Sequence, residues 1–80
     1  MKLPRDVDAD RLIHCLRKLD YEPVRQTGSH IRLRTLRNGE HHETIPHHRP
    51  LKAGTLNAIL RSIAQHHGMT RDALLEFLEL

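Results

Sequence analysis

The sequence predicts a small α+β domain in which the elements follow the order α-β-β-β-α and an extra helix is added at the C-terminus. Apolar residues recur at helical spacing near both ends of the chain, whereas apolar and polar residues alternate in its middle. An Asn-Gly pair between two alternating segments indicates an antiparallel hairpin. With 80 residues, the chain, 1–80, is expected to form a single domain with a small core.

The first helix is predicted from the apolar residues that follow Asp8 and Asp10, either of which can cap its start. Its apolar stripe consists of Leu12, Ile13, Leu16 and Leu19. The helix is expected to end near Asp20. Cys15 lies among the apolar positions, so a buried and inert thiol is favoured over a nucleophile.

Three short strands are expected to follow. Pro23 argues against helix in residues 21–26, which are predicted as an edge strand. Residues 29–36 alternate and form the second strand, and residues 41–45 form the third after a turn at Asn38-Gly39. With both main helices on one face of a three-stranded antiparallel sheet, the other face is open to solvent. The second strand is expected to present three side chains there: His30, Arg32 and Arg34.

The second main helix is predicted to begin near Gly54 or Thr55 and to end at Gly68. Its apolar positions repeat at helical spacing: Leu56, Ile59, Leu60, Ile63 and Ala64. Thr70 is expected to cap the additional helix within residues 69–80. The predicted apolar stripe of that helix is Ala73, Leu74, Phe77 and Leu78.

The charge of the chain is concentrated in its middle. Thirteen Lys and Arg residues against ten Asp and Glu give a net charge of only +3. Residues 25–52, however, contain six basic residues, only two acids and five of the eight histidines. This asymmetry indicates an anionic partner, of which nucleic acid is the most common. The alternative is a solvated basic face that keeps a small protein soluble.

Composition disfavours several other classes of protein. A lone cysteine permits no intramolecular disulfide, which argues against a small secreted disulfide scaffold. No apolar stretch resembles a signal peptide or a membrane span, so no membrane association and a cytoplasmic location are expected. Tyr21 and Phe77 are the only aromatic residues. Recognition of nucleic acid is therefore expected to depend on backbone charge and shape rather than on base stacking.

The segment Gly28-Ser29-His30 is the strongest candidate for chemistry. An unperturbed imidazole has a pKa of about 6.5 and can both accept and donate a proton near neutral pH. Arg32 and Arg34 share a face with His30 and could hold a phosphodiester against it. Gly28 can supply the positive φ of a tight turn, and Ser29 can cap that turn or contact a phosphate. The alternative for His30 is a turn residue that hydrogen-bonds the backbone.

Two pairs of histidines, His41-His42 and His47-His48, raise the possibility of a metal site. Adjacent residues on a strand point to opposite faces, and no Cys or Asp nearby completes a ligand set. We therefore expect neither a metal nor a cofactor. The start of the second main helix, preceded by Lys52, could contact a phosphate through free N–H groups, or it could simply cap itself.

Three motifs occur in order along the chain: Gly28-Ser29-His30, Pro46-His47-His48 and Gly54-Thr55-Leu56. In this combination residues 10–65 resemble the HicA (YcfA-like) family of toxins. The resemblance implies a fold similar to a double-stranded-RNA-binding domain. It also implies that His30 is the functional histidine, Gly28 the turn glycine, and Pro46 with His48 the family's Pro-x-His. Two departures are Ala53, where many members have proline, and the C-terminal extension.

The function implied by this resemblance is that of a toxin in a type II toxin–antitoxin system. The toxin would be a metal-independent endoribonuclease that cleaves mRNA, with a HicB-like antitoxin as its protein partner. His30 is the predicted general acid and base, and the predicted RNA contacts are Arg25, Gly28, Ser29, Arg32, Arg34, His48 and Lys52. His48 could instead hydrogen-bond its own loop.

Two alternatives remain open from the sequence. The first is a non-catalytic RNA-binding module that uses the same basic face of the sheet. The second is an adaptor that binds another protein through an exposed helical stripe at Leu74, Phe77 and Leu78.

Overall fold

The computed structural model describes residues 2–80 and confirms the predicted α-β-β-β-α order with an added helix. The first helix, α1, spans Ala9–Leu16 and continues as a 3-10 turn, Arg17–Leu19. The strands are β1 (Glu22–Thr27), β2 (His30–Thr35) and β3 (His41–Pro46). Helix α2 spans Ala53–His66 and α3 spans Arg71–Leu78.

The strands form one antiparallel sheet in the order β1-β2-β3, with β2 in the centre. Burial alternates along β2 as the sequence predicts: Ile31, Leu33 and Thr35 are buried, whereas the residues between them are exposed. The helices therefore cover one side of the sheet, and His30, Arg32 and Arg34 lie on the other. We call this second side the open face. Its neighbours on the flanking strands are Arg25, Thr27, His42 and Thr44.

The edge strand β1 is irregular. A bulge between Pro23 and Arg25 leaves Val24 out of the regular pairing with β2, and all six residues of the strand are exposed. Pro23 lacks a backbone N–H, and bulges twist an edge away from partners. Both features make this edge a poor template for further strand pairing.

The core lies between the sheet and the helices. Leu33 and Ile45 from the sheet, Leu12 from α1 and Leu60 from α2 are all fully buried. Thr35 is the buried polar residue among the described positions: its Oγ1 donates to the carbonyl of Leu19 at 2.7 Å and accepts from the backbone N–H of Arg37 at 3.0 Å. Burial of this hydroxyl is tolerated because both of its hydrogen bonds are made.

The ends of the helices follow the predicted signals with one exception. Asp20 and Gly68 adopt positive φ after the two main helical segments, and Oγ1 of Thr70 accepts a hydrogen bond from the N–H of Ala73. Asp8 is the N-cap residue of α1, but its side chain makes no capping hydrogen bond. Asp10 does not cap either, because it is the second residue of α1, and its carboxylate binds His47 and Arg49.

The predicted stripe of α3 is partly wrong. Leu74, Leu75 and Leu78 are buried, whereas Ala73 is exposed and Phe77 retains 41% of its accessible surface. The helix is rotated relative to the prediction because burying Leu75 removes more apolar surface from water than burying Ala73. The adaptor hypothesis is therefore wrong as stated, since Leu74 and Leu78 belong to the hydrophobic core.

Two smaller expectations also change. Cys15 is partly exposed and packs at the edge of the core rather than inside it. Strand β2 ends at Thr35 instead of residue 36, and Leu36 is left exposed. Within residues 2–80, no helix has both the length and the apolar composition that a membrane span requires.

Candidate functional site

The turn between β1 and β2 consists of only two residues, Gly28 and Ser29, and it places His30 at the first position of β2. Gly28 has φ +56°, a conformation that residues with a Cβ adopt at a cost. No atom would lie within 4 Å of a Cβ added there, so the backbone conformation, and not lack of space, favours glycine. His30 pairs with Thr27 on one side and with Pro46 on the other. Its backbone is therefore held between both neighbouring strands.

A shallow groove of about 180 Å³ lies on the open face, and its lining consists of Arg25, Thr27, His30, Arg32 and Thr44. The register of the sheet explains this grouping, because Arg32 is paired with Arg25 on β1 and with Thr44 on β3. Two guanidinium groups, one imidazole and two hydroxyls thus surround the same space. Such a set of donors suits an anionic, oxygen-rich ligand.

The imidazole of His30 is exposed, and no other group within residues 2–80 makes a hydrogen bond or an ion pair with it. Both ring nitrogens are therefore available to a ligand. The hypothesis that this side chain serves the turn by bonding its backbone is not supported by the geometry.

A chain of hydrogen bonds crosses the open face beside this groove. Nε of Arg32 donates to Nδ1 of His42 at 3.1 Å, and Nε2 of His42 donates to Oε2 of Glu40 at 2.7 Å. The hydrogen bond from His42 is the main cause that lowers the pKa of Glu40. The charge that His42 carries when protonated is the next cause, and the charge of Arg34 contributes less. Arg34 itself lies opposite His42 on β3 and Glu22 on β1.

The loop that follows β3 packs against the Gly28-Ser29 turn. The N–H of His47 donates to the carbonyl of Ser29 at 2.6 Å, and the N–H of Ala9 donates to the carbonyl of His48 at 3.2 Å. Asp10 binds Nε2 of His47 at 3.0 Å and Nη2 of Arg49 at 2.8 Å. The pKa of Asp10 is lowered mainly by the hydrogen bond from Arg49. The Pro46-His47-His48 motif is thus attached to the turn that carries His30.

The family model described as the HicA toxin of bacterial toxin–antitoxin systems matches residues 9–65 of this chain. The chain belongs to the HicA family. The resemblance seen in the three motifs is confirmed, and the protein is a toxin whose partner is an antitoxin. The match covers α1, all three strands and α2, and it ends before α3. No curated protein and no solved structure gives a match.

The predicted RNA contacts of this HicA toxin do not all lie together. Arg25 and Arg32 share the groove of His30, and Arg34 lies farther along the same strand. His48 and Lys52 are exposed and line a second groove with His47, Arg49 and Pro50. Lys52 is the N-cap residue of α2. The side chain of Ser29 makes no hydrogen bond within residues 2–80, so it does not cap the turn.

The paired histidines of the HicA toxin separate as the alternation of the strand predicts. His42 lies on the open face, whereas His41 points inward, where it accepts a hydrogen bond from the hydroxyl of Tyr21 and stacks on His66 at 4.4 Å. Glu43 is on the same side as His41 and accepts from Oγ of Ser62 at 3.0 Å. In the described part of the chain, no three His, Cys, Asp or Glu side chains are grouped in a way that could hold a metal ion.

Sequence reasoning assigned no role in the groove or beside it to four residues of this region. Thr27 and Thr44 line the groove. His42 and Glu40 form the hydrogen-bonded chain with Arg32. The pairing of Thr44 with Arg32 follows from the register of the β2–β3 hairpin, which is the signal that could have identified Thr44. The contact between Arg32 and His42 is a diagonal pair of side chains, which periodicity alone does not indicate.

Proposed function

We propose that this HicA toxin is an endoribonuclease that cleaves mRNA without a metal ion and uses His30 as its general acid and base. The observation that carries the proposal is the groove in which Arg25, Arg32 and His30 meet. A phosphodiester seated there would contact two permanent cations. It would also lie next to an imidazole that has no partner in residues 2–80.

The reaction that suits these groups uses the 2′-hydroxyl of RNA as the nucleophile. The imidazole of His30 accepts the proton of the hydroxyl as the 2′-oxygen attacks phosphorus, and the bond from phosphorus to the 5′-oxygen breaks. The departing oxygen takes up a proton, from the imidazolium or from water. The products are a 2′,3′-cyclic phosphate and a 5′-hydroxyl. Proton transfer by a positioned side chain contributes about 10²–10⁴-fold, and the guanidinium groups stabilise the charge that develops on the phosphoryl oxygens.

The remaining contacts follow the course of an RNA backbone over the surface. Arg34 extends the positive charge of the groove along β2, and the exposed backbone of Gly28 and Ser29 lets a phosphate approach closely. His48 and Lys52 would bind a flanking phosphate in the second groove, which adjoins the turn. Because these contacts are to the backbone, they position the RNA and carry little sequence information.

The antitoxin is proposed to be HicB-like and to cover the open face. Such binding would occlude His30 and neutralise Arg25, Arg32 and Arg34 in one step, without a conformational change in the toxin. The expected site of action is the cytoplasm, where mRNA is accessible. Residues 10–65 would carry the chemistry, and residues 69–80 would supply α3 as a structural addition.

A second candidate function is binding of RNA without cleavage through the same face. One observation favours it: no carboxylate in residues 2–80 hydrogen-bonds His30, and catalytic imidazoles are commonly oriented by such a group. Both functions need the arginines. Only the enzyme needs the imidazole.

The test compares wild type with His30→Ala and with the matched control His14→Ala, which removes an exposed imidazole from α1 on the helical side. RNA cleavage is measured with purified protein in excess EDTA, and binding is measured on a 2′-O-methyl RNA that cannot be cleaved by this route. We expect His30→Ala to lose at least about 100-fold in cleavage rate and to bind within a few-fold of wild type. His14→Ala is expected to behave as wild type in both assays.

The products provide a second readout of the same mechanism. Ends bearing 2′,3′-cyclic phosphate or 3′-phosphate are expected. If His30→Ala cleaves as fast as wild type, the catalytic role is wrong. If no variant cleaves but all bind, the non-catalytic function is correct. Activity that disappears on chelation and returns with a divalent ion would overturn the metal-free mechanism.

A further inference from the structure

We propose that His42 is a positioning residue that fixes the guanidinium of Arg32 for binding a phosphate of the RNA. This inference rests on the proposed function, because it assigns a role within the same groove. His42 itself does not line that groove. It acts through its hydrogen bond to Arg32.

The two hydrogen bonds of His42 determine its protonation state. An arginine side chain can only donate, so Nδ1 of His42, which lies 3.1 Å from Nε of Arg32, must be the acceptor and carries no proton. The carboxylate of Glu40 can only accept, so Nε2 of His42 must carry the proton that bridges 2.7 Å to Oε2. The ring is therefore a neutral imidazole in a single tautomer. Arg32 cannot act as an acceptor and the carboxylate of Glu40 cannot act as a donor, so the opposite tautomer would lose both hydrogen bonds.

The bond to His42 leaves the phosphate-binding end of Arg32 free. Only Nε is occupied, and neither Nη1 nor Nη2 makes a hydrogen bond within residues 2–80. Because the guanidinium is planar, anchoring Nε restricts the direction of both terminal nitrogens, which are the pair that binds phosphate in a bidentate manner. A side chain that is already restricted loses less entropy when its ligand binds.

The test of affinity uses His42→Ala and His42→Asn in the full chain, with 2′-O-methyl RNA as the probe at pH 8. The two hydrogen bonds of His42 require the neutral ring, so neither substitution changes the net charge. Asn can place its carbonyl oxygen near the position of Nδ1 and keep an acceptor for Arg32, whereas Ala cannot. We expect His42→Ala to bind about two- to tenfold more weakly, the range for leaving one long side chain mobile before binding. His42→Asn should bind within twofold of wild type.

Nuclear magnetic resonance tests the geometry without RNA. In wild type at pH 8, Nδ1 of His42 should be unprotonated and Nε2 protonated, and the Nε–H of Arg32 should exchange more slowly than that of Arg34. Arg34 is a matched internal control because its side chain makes no hydrogen bond within residues 2–80. The protection of Arg32 should be lost in His42→Ala and persist in His42→Asn.

The outcomes are distinct. If His42 carries its proton on Nδ1, or if Arg32 and Arg34 exchange alike, the positioning geometry is wrong whatever the protein does to RNA. If the geometry is confirmed but His42→Ala binds RNA as wild type does, the role in binding is wrong and the proposed function stands. If wild type with the expected exchange pattern binds no RNA, the proposed function fails and the role of His42 fails with it.

Discussion

The hydroxyl of Tyr21 lies 2.7 Å from Nδ1 of His41 and 3.1 Å from Nε2 of His67, although the tyrosine is fully buried. Nδ2 of Asn38 donates to Nδ1 of His67 at 3.0 Å, so the proton of His67 is on Nε2 and points to Tyr21. Tyr21 in turn donates to His41. This chain of donors joins the β2–β3 turn, the residue before β1, strand β3 and the C-terminal end of α2 through imidazoles that must be neutral.

This network predicts that the free energy of unfolding decreases in mild acid. Burial is the largest cause that lowers the pKa values of His41 and His67 from 6.5, and repulsion from His66 adds to it. The folded protein therefore binds fewer protons than the unfolded chain below pH 6.5. The stability contributed by the two groups is complete above this pH and is lost as pH falls from about 6.5 towards the folded pKa values. Each proton contributes up to about 1.4 kcal/mol per pH unit.

Urea unfolding between pH 7.5 and 5.5 measures this dependence. The double variant His41→Gln with His67→Gln should flatten it, and His14→Gln, on the exposed side of α1, should not. Glu43 has the opposite effect on the free energy of unfolding at lower pH. Burial raises the pKa of its carboxyl group, so protonation of Glu43 favours the folded state. An unaltered slope in the double variant would show that other groups cause the pH dependence.

Substitution of Gly28 by Ala should destabilise the domain by about 1 kcal/mol, because an L-residue at φ +56° costs roughly 1–2 kcal/mol and part of this is offset in the unfolded chain. The matched control is Gly54→Ala, in the first turn of α2, where φ is not positive and no atom would lie within 4 Å of the added Cβ. The control should raise stability by up to about 1 kcal/mol. Equal changes in the urea midpoints of the two variants would contradict the role given to the turn.

Replacing both Arg32 and Arg34 with Ala should weaken RNA binding and reduce its dependence on salt. If each side chain contacts one phosphate of a single strand, the slope of log K against log salt should fall by about 1.4 units. Stability should change by less than about 0.5 kcal/mol, because both side chains are exposed. The control replaces Arg11 and Arg61, which are exposed on α1 and α2. An unchanged slope would mean that RNA does not contact Arg32 and Arg34, and Lys52 with the second groove would be the next site to test.

The C-terminal helix offers a comparison of two neighbouring apolar residues. Leu74→Ala removes a side chain with no exposed surface and should cost about 2–5 kcal/mol, a large part of the stability of a small domain. Phe77→Ala should cost much less, because 41% of that residue remains accessible. Calorimetric melting temperatures would show the difference. Similar losses for both would mean that α3 packs differently from the arrangement described.

The order of elements could be predicted because each depends on local signals. The φ values of Asn38 and Gly39, +60° and +96°, are those that the Asn-Gly turn predicts. The exact pairing of β2 with β3 could not be read from the turn alone. Starting β3 directly opposite residue 36 would place the buried Ile45 across from the exposed Arg32, whereas a five-residue connection, 36–40, pairs Ile45 with Ile31. Burial of one face therefore fixes the register.

The site was predictable to the same extent. Alternation along β2 places His30 and Arg32 on one face. Arg25, which was also among the predicted RNA contacts, joins them because the register runs without interruption from the two-residue turn to the pair of Arg25 with Arg32. The bonds of His42 could not be predicted, since they depend on the rotamers of long side chains on two strands. The rotation of α3 also could not be predicted, because its Leu-Leu pair and Phe77 allow several apolar stripes and the core selects one.

The separation of the open face from the core has a consequence for how this toxin can evolve. The side chains that hold the fold together all leave β2 on the helical side, so a change at His30 or Arg32 removes no packing. Under the proposed mechanism, a single mutation at His30 would silence the toxin while its fold, and the three arginines that the antitoxin is proposed to contact, stay in place. Such silent copies would still bind antitoxin and withdraw it from active toxin elsewhere in the cell. A gene for an inactive toxin would then still affect the cell, because its product would compete with active toxin for the antitoxin.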